Sequence, residues 1–333
     1  MAARTDGLGK AFAGGNFELD EACLKSGEMI TYFLKVTTGE CDREMIEGQL
    51  ESDKAIHEVS PFFCPEPLAW GKYTFTPGPD QYFLLAQFRE VGQQPPEPLL
   101  FAARLADLHK RSVSPTGKFG FHTTTCHSKS PQLTDLWGDS WEVLYRKQLA
   151  HVFEQDRQKQ PAWDEYEFYA DLVLDNEGRS IKPCLVHGNV WDGNTATDVE
   201  TGKPFTFDGS AFYAHNEYEL GNWRTSRHRL SGKTYIRTYK RHFPANEPEE
   251  DWDSRNLLYS LRFNVTAALL IPGSNYRQYV FEDLKELCKR ICPDEMKLFA
   301  KRPAVGDSAK SPNESEEDEE ETEEEEEEEE EED

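Results

Sequence analysis

The chain has 333 residues, enough for one large domain or two lobes with substantial cores, and 37% of them are hydrophobic. Its net charge of −26 is concentrated at one end: discounting the eighteen acids between Glu314 and Asp333 leaves about −8, so the folded part is only mildly acidic. No apolar run approaches the roughly 20 residues that span a bilayer, and Met1–Gly7 lacks the apolar core of a secretory signal. Seven scattered cysteines, an odd number, fit a reducing compartment better than a disulfide framework. Cys288 and Cys292 share a helix face but have no matching Cys/His pair to complete a zinc site, and read as small core residues.

In chain order, Gly14-Gly15 opens two readings, the turn of a Gly-rich phosphate loop or a weakly patterned N-terminal segment. Thr31–Val36 is predicted to be a buried strand with one lysine, Lys35, embedded in it. A helix is predicted from Arg43 to about Val59, with Met45, Leu50, Ile56 and Val59 inward. Gln81–Phe88 reads as a second strong strand that runs into a Pro95–Pro98 linker. Leu99–Arg111 is amphipathic, and Trp141–Gln158 and Glu165–Leu174 read as helices. Short strands, Lys182–Val186 and Pro204–Phe207, then bracket a polar loop. Helices are predicted over about Gly232–His242, Leu257–Leu270 and Tyr276–Ile291. Strands first and helices later, with a loop held between short strands, predict a two-lobed α+β architecture.

The polar loop carries the chemistry. His187-Gly188-Asn189-Val190-Trp191-Asp192-Gly193-Asn194, followed by Phe207-Asp208-Gly209, has the spacing of a phosphotransferase catalytic loop and its metal-binding Asp. Asn194 and Asp208 offer hard oxygen ligands for Mg²⁺. Asn189 stands where a base is expected, and a neutral amide cannot accept a proton. Lys35, costly if left unpaired in an apolar strand, is suited to grip nucleotide phosphates, against the alternative of an edge lysine reaching solvent. Its expected helix partner is Gln49, an amide in place of a carboxylate. Glu47 and Glu51 are each about 200° around the helix from it, so only a register shift would bring one to Lys35.

His187 reads as a loop-holding side chain, with a ligand or base role as the alternative. Trp191 is either a packing aromatic or an apolar wall beside an acceptor sugar. In Phe212–Glu219, His215 and Glu217 are candidates for the substrate side, His215 also as a stand-in base, and a structural role is the simpler reading for the histidine. The basic run Arg224–Arg241 reads as a solvated helix face. It lacks an accompanying nucleic-acid module, so nucleic acid is not an expected partner. The tail from Asp307 cannot bury a core and is expected to be disordered, a solubilising segment or one that contacts basic proteins or the Arg224–Arg241 region.

Leu185–Asn194 with Phe207–Glu219, the Tyr32–Glu40 strand and Phe119-Gly120-Phe121 resemble the fructosamine-3-kinase / ketosamine-3-kinase family, and most of all its fungal protein-ribulosamine 3-kinase-like group. The similarity runs from about Phe17 to Ile291. It implies a two-lobed protein-kinase-like (aminoglycoside-phosphotransferase-like) fold with a nucleotide-binding lobe over 1–94, a helical lobe over 95–306 and the tail over 307–333. It also implies transfer of the ATP γ-phosphate to the sugar O3 of ketosamines, either small molecules or adducts on glycated proteins, promoting deglycation in the cytoplasm. By position, Lys35, with Gly14 and Gly15, would contact ATP phosphates, Gln87, Phe88 and Arg89 would form the adenine hinge, Asn194 and Asp208 would bind Mg²⁺, and Trp191 would lie at the sugar. Asn189 and Gln49 depart from the family's loop Asp and helix Glu, and Asp208-Gly209-Ser210 departs from its usual Asp-Pro-Ala. These departures bear on turnover rather than fold, with a nucleotide-binding pseudokinase as the alternative. Asn189→Asp, alone or with Gln49→Glu, is expected to raise ketosamine phosphorylation.

Overall fold

The computed structural model describes residues 2–3, 31–38, 42–73, 80–174 and 181–301. Gly14, Gly15 and the acidic tail fall outside the described residues. The N-terminal part is an antiparallel sheet of β1 (Ala2–Ala3), β2 (Tyr32–Thr38), β3 (Pro67–Tyr73) and β4 (Gln81–Gln87), in the order β1-β2-β4-β3. Four consecutive residues of β4, Phe83–Ala86, are buried, because both faces of this central strand are covered. Leu84 packs with Ile46 and Leu50 of helix α1 (Asp42–Val59), whereas Phe83 and Leu85 pack on the opposite face with Ala69 and Leu34. Lys35 is paired with Leu84 in the β2–β4 register. Directly opposed residues share a face of the sheet, so the register alone turns Lys35 towards α1.

α1 is held against the rest of the molecule by a close approach at Gly48. A Cβ there would stand 2.4 Å from the Thr124 carbonyl oxygen. Ser52 adds a tie across 159 residues by accepting the Ala211 N–H at 2.8 Å.

After β4 the chain enters α2 (Pro98–Arg111). Pro98, expected in the linker, is instead its first residue, a position where the missing N–H costs nothing. Glu97 caps it by accepting the Leu99 and Leu100 N–H groups. A minimal hairpin, β5 (Cys126–His127) and β6 (Ser130–Pro131), precedes α3 (Trp141–Lys159) and α4 (Asp164–Leu174). The loop region is framed by β7 (Cys184–Val186), β8 (Thr195–Thr197), β9 (Pro204–Thr206) and β10 (Phe212–Ala214). Their pairing was not expected: β8 pairs with β9, and β7 pairs with β10 beyond the Asp208 turn. Helices α5 (Asn216–Gly221), α6 (Lys233–His242), α7 (Trp252–Leu270) and α8 (Tyr276–Ile291) complete the helical part. Its core runs through Phe101, Leu105, Phe153, Tyr218, Trp223, Phe263 and Leu284, all essentially inaccessible to solvent.

Cys64, Cys184, Cys288 and Cys292 are free thiols. Among the described residues no helix is long and apolar enough to cross a membrane.

Candidate active site

Three segments far apart in sequence meet at Lys35. Its ammonium donates to Gln49 Oε1 at 2.8 Å and to Asp208 Oδ1 at 2.5 Å. The expected edge-lysine alternative is therefore not the arrangement seen. Neither flanking acid of α1 reaches Lys35: Glu47 pairs with Arg43 at 3.6 Å, and Glu51 with Lys54 at 2.9 Å and His122 at 3.1 Å. The register shift that would substitute one of them for Gln49 does not occur.

Asp208 has φ +59°, in the left-handed region that few non-glycine residues occupy. The bend is held from both sides. Phe207 donates its N–H to the Asn194 carbonyl at 3.1 Å, and Ser210 donates to the His187 carbonyl at 2.9 Å. These two bonds set the Asp208 turn alongside the polar loop.

Within that loop, Gly188 has φ +79°, and a Cβ would fall 2.2 Å from the Ser210 carbonyl oxygen. Glycine is the residue this crossing admits. Glu219, fully buried on α5, accepts the N–H groups of His187 and Gly188 and so clamps the loop's entry. Asn222 Nδ2 and Trp223 Nε1 both donate to the Val190 carbonyl from beneath. Asp192 accepts the Arg229 and Leu230 N–H groups at 2.7 and 3.1 Å.

His187, a candidate for catalysis, is used structurally. Its Nδ1 accepts the Asn189 N–H at 3.3 Å, which leaves Nε2 to donate to the Phe207 carbonyl at 3.1 Å. Burial lowers its pKa, and both nitrogens are occupied by backbone. Asn189 is nearly buried, and its Oδ1 has no hydrogen-bond partner. Such an orphan costs free energy unless something else occupies it.

The residues fit a divalent cation shared with a ligand. Asn194 spends its amide nitrogen on the Asn189 carbonyl at 3.0 Å, leaving its amide oxygen for a cation, and Asp208 retains a second carboxylate oxygen beyond the one facing Lys35. No group of three or more His, Cys, Asp or Glu side chains that could hold a metal occurs among the described residues. Two oxygen ligands completed by phosphate and water is the usual pattern for Mg²⁺ on a nucleotide, not for a resident structural ion.

Other expected positions divide. Trp191 is 39% exposed, lies over Gly193 and meets His228 edge-on, its ring centroid 5.7 Å away. Gln87 and Phe88 are exposed, but the Gln87 N–H is already bound to the Glu66 carbonyl at 2.8 Å. Arg89 is not a free ligand: it donates to the Phe62 carbonyl at 2.9 Å, lies 4.0 Å from Asp198 and stacks on Phe205, tying the sheet to the β8–β9 hairpin. His215 and Glu217 need correction as substrate-side groups. His215 Nδ1 meets the Tyr259 hydroxyl at 2.8 Å and Nε2 meets Asn246, and burial holds its pKa down to about 4. Glu217 is buried against Arg255 at 2.7 Å and accepts the Asn246 N–H. Part of the basic run is partnered, with Arg224 on Asp253 at 2.7 Å, Arg227 over Tyr276 and Lys240 on Glu249 at 3.3 Å.

Two residues that matter here were not singled out from the sequence. Glu219 is the loop clamp. Its replacement by Ala, which leaves two buried N–H groups without an acceptor, is expected to lower stability by about 3 kcal/mol. A denaturant midpoint unchanged by Glu219→Ala would show that the clamp is dispensable. The other is Asp53, on the inward face of α1 one turn after Gln49 and only 5% exposed. Burial, with the neighbouring Asp208 charge, pushes its carboxyl up to about 7.

The comparisons with known proteins agree with this geometry. The family model for fructosamine kinase matches residues 9–290. Among curated relatives, the chloroplastic protein-ribulosamine 3-kinase of Oryza sativa subsp. indica is 27% identical over 275 residues, covering 81% of this chain and 75% of that one. Among solved structures, a putative fructosamine-3-kinase from Haemophilus somnus 129PT superposes with a TM-score of 0.62 at 16% identity, over 78% of this chain and 84% of the other. A thermostable aminoglycoside phosphotransferase APH(4)-Ia, solved with ADP and hygromycin B, gives 0.53 at 15% identity, over 79% and 88%. These likenesses establish the two-lobed kinase-like fold expected from the sequence. With the family model spanning most of its length, the chain belongs to the fructosamine kinase family of phosphotransferases.

Proposed function

We propose that the protein binds ATP·Mg²⁺ between a sheet-bearing lobe (1–94) and a helical lobe (95–306) and phosphorylates the O3 hydroxyl of ketosamines, ribulosamine or fructosamine, free or on glycated proteins. The observation that supports this reading is the 2.5 Å contact between Lys35 and Asp208, which brings a cationic side chain to the Asp208 turn across 173 residues. Asn194 and Asp208 would hold Mg²⁺, which, when bound, neutralises charge on the β- and γ-phosphate oxygens. Lys35 holds the phosphates, and Trp191 offers an apolar wall to the sugar. The unpaired Asn189 Oδ1 accepts a hydrogen bond from the O3 hydroxyl and aims its oxygen at phosphorus. It cannot remove the proton, which leaves with the phosphoryl group or to water. Phosphorylation at O3 destabilises the adduct and so promotes deglycation. The free cysteines are compatible with a cytoplasmic setting.

The same amide supports a second reading, a nucleotide-binding protein with little turnover. Positioning and electrostatics dominate phosphoryl transfer, whereas a general base adds about 10²–10⁴-fold. The first reading therefore predicts slow but measurable transfer to a ribulosamine substrate. Mg²⁺-dependent ATP binding without any transfer supports the second.

A further inference from the structure

The helix that should bring a carboxylate to Lys35 brings an amide, yet it also buries a carboxylate one turn further on. The inward stripe of α1 runs Ile46, Gln49, Leu50, Asp53, Ile56, the spacing of an apolar face. An aspartate within it is costly unless something uses it. Its Oδ1 has no hydrogen-bond partner. Gln49 lies one turn before it on the same inward stripe, Gly209 abuts its Oδ1, and the charges nearest it are those of Asp208 and Lys35. An amide has one accepting and one donating end. Gln49 Oε1 is committed to Lys35 at 2.8 Å, so Nε2 is the end available to Asp53. Gly209 completes the arrangement, because a Cβ at 209 would press to 2.9 Å from Asp53 Oδ1.

We propose that Asp53 is a positioning residue for nucleotide binding, acting through Gln49 to hold Lys35 on the phosphates. Asp53 fixes which way the Gln49 amide points, Gln49 presents its oxygen to the ammonium, and Gly209 leaves the carboxylate its space. The two residues together replace a single glutamate. A carboxylate at 49 beside Asp53 would instead gather three acids, counting Asp208, around one ammonium. The amide at 49 is therefore the partner Asp53 requires.

This rests on the ATP·Mg²⁺ reading above, and its test reads nucleotide affinity rather than transfer. Calorimetric titration with ATP·Mg²⁺ would compare the full chain with Asp53→Asn, Gln49→Glu and the Gln49→Glu/Asp53→Asn exchange, with thermal melts alongside. Each single variant is expected to bind about tenfold more weakly, and the exchange to return to within about threefold of the parent, a strong non-additivity between residues one turn apart on one helix face. Melting points of the single variants at or above the parent's would separate positioning from folding, since removing a buried charge does not require a loss of stability. Parent-like binding by both single variants, or losses that simply add in the exchange, would overturn the proposal. A parent that binds no ATP·Mg²⁺ overturns this proposal and the functional reading together. A parent that binds nucleotide but phosphorylates no ketosamine overturns only the substrate reading.

Discussion

Asn189→Asp is expected to raise the rate of ketosamine O3 phosphorylation by about 10²-fold or more while leaving the KM for ATP nearly unchanged. The two side chains are isosteric, so the change exchanges an amide for a carboxylate at one fixed place. That place is well held: the Asn189 N–H is bound to His187 Nδ1, its carbonyl accepts from Asn194, and Glu219 pins the two residues before it. Oδ1 is buried and has no hydrogen-bond partner within the protein. A carboxylate there can both orient the acceptor hydroxyl and take its proton. The gain should appear in kcat, and a new acid limb should appear in the pH–rate profile as the introduced base titrates. A kcat that does not rise would mean the acceptor hydroxyl never reaches position 189.

Asp208→Asn should act in the opposite direction, lowering kcat/KM by about 10²-fold or more and abolishing the Mg²⁺ dependence of ATP binding. Asp208 is the carboxylate of the proposed cation site, and Asn194, its companion, is neutral. The Lys35–Asp208 pair is partly exposed, at 25% and 38%, so its direct contribution to folding is about 1 kcal/mol or less. The variant should therefore melt close to the parent and fail in function. Calorimetry with ATP in the presence of Mg²⁺ and of EDTA reads the effect directly, and a retained difference between the two conditions would move the cation site away from Asp208.

Much of this was legible in the sequence because local chemistry and packing point the same way. A lysine inside Tyr32–Val36 needs a partner. The loop-to-Asp208 spacing supplies it, and the β2–β4 register, seen only in the structure, sets the face on which it lies. The inward positions Met45, Leu50 and Ile56 of α1 are buried as expected. What escaped is what burial decides. Asp53 is one turn from Gln49 on the same stripe, but an acid among apolar positions reads as an exception to a pattern rather than as a site. His215 and Glu217 carry catalytic-looking groups in a catalytic-looking place, yet Tyr259, Asn246 and Arg255 arrive from elsewhere in the chain to occupy them. The β7–β10 pairing was missed for a related reason: strands of three residues carry almost no periodicity, and this pair is separated in the chain by the polar loop and the β8–β9 hairpin.

The account as a whole depends on Lys35 holding the phosphates, and Asn194 and Asp208 the cation, of one bound nucleotide whose phosphate moves to a ketosamine. Transfer of label from γ-³²P ATP to a ribulosamine–lysine substrate, followed in the parent chain and Asn189→Asp with and without Mg²⁺, tests it most directly. The expected result is slow, Mg²⁺-dependent labelling by the parent and much faster labelling by the variant. No labelled product from either protein, at any Mg²⁺ concentration, would contradict it.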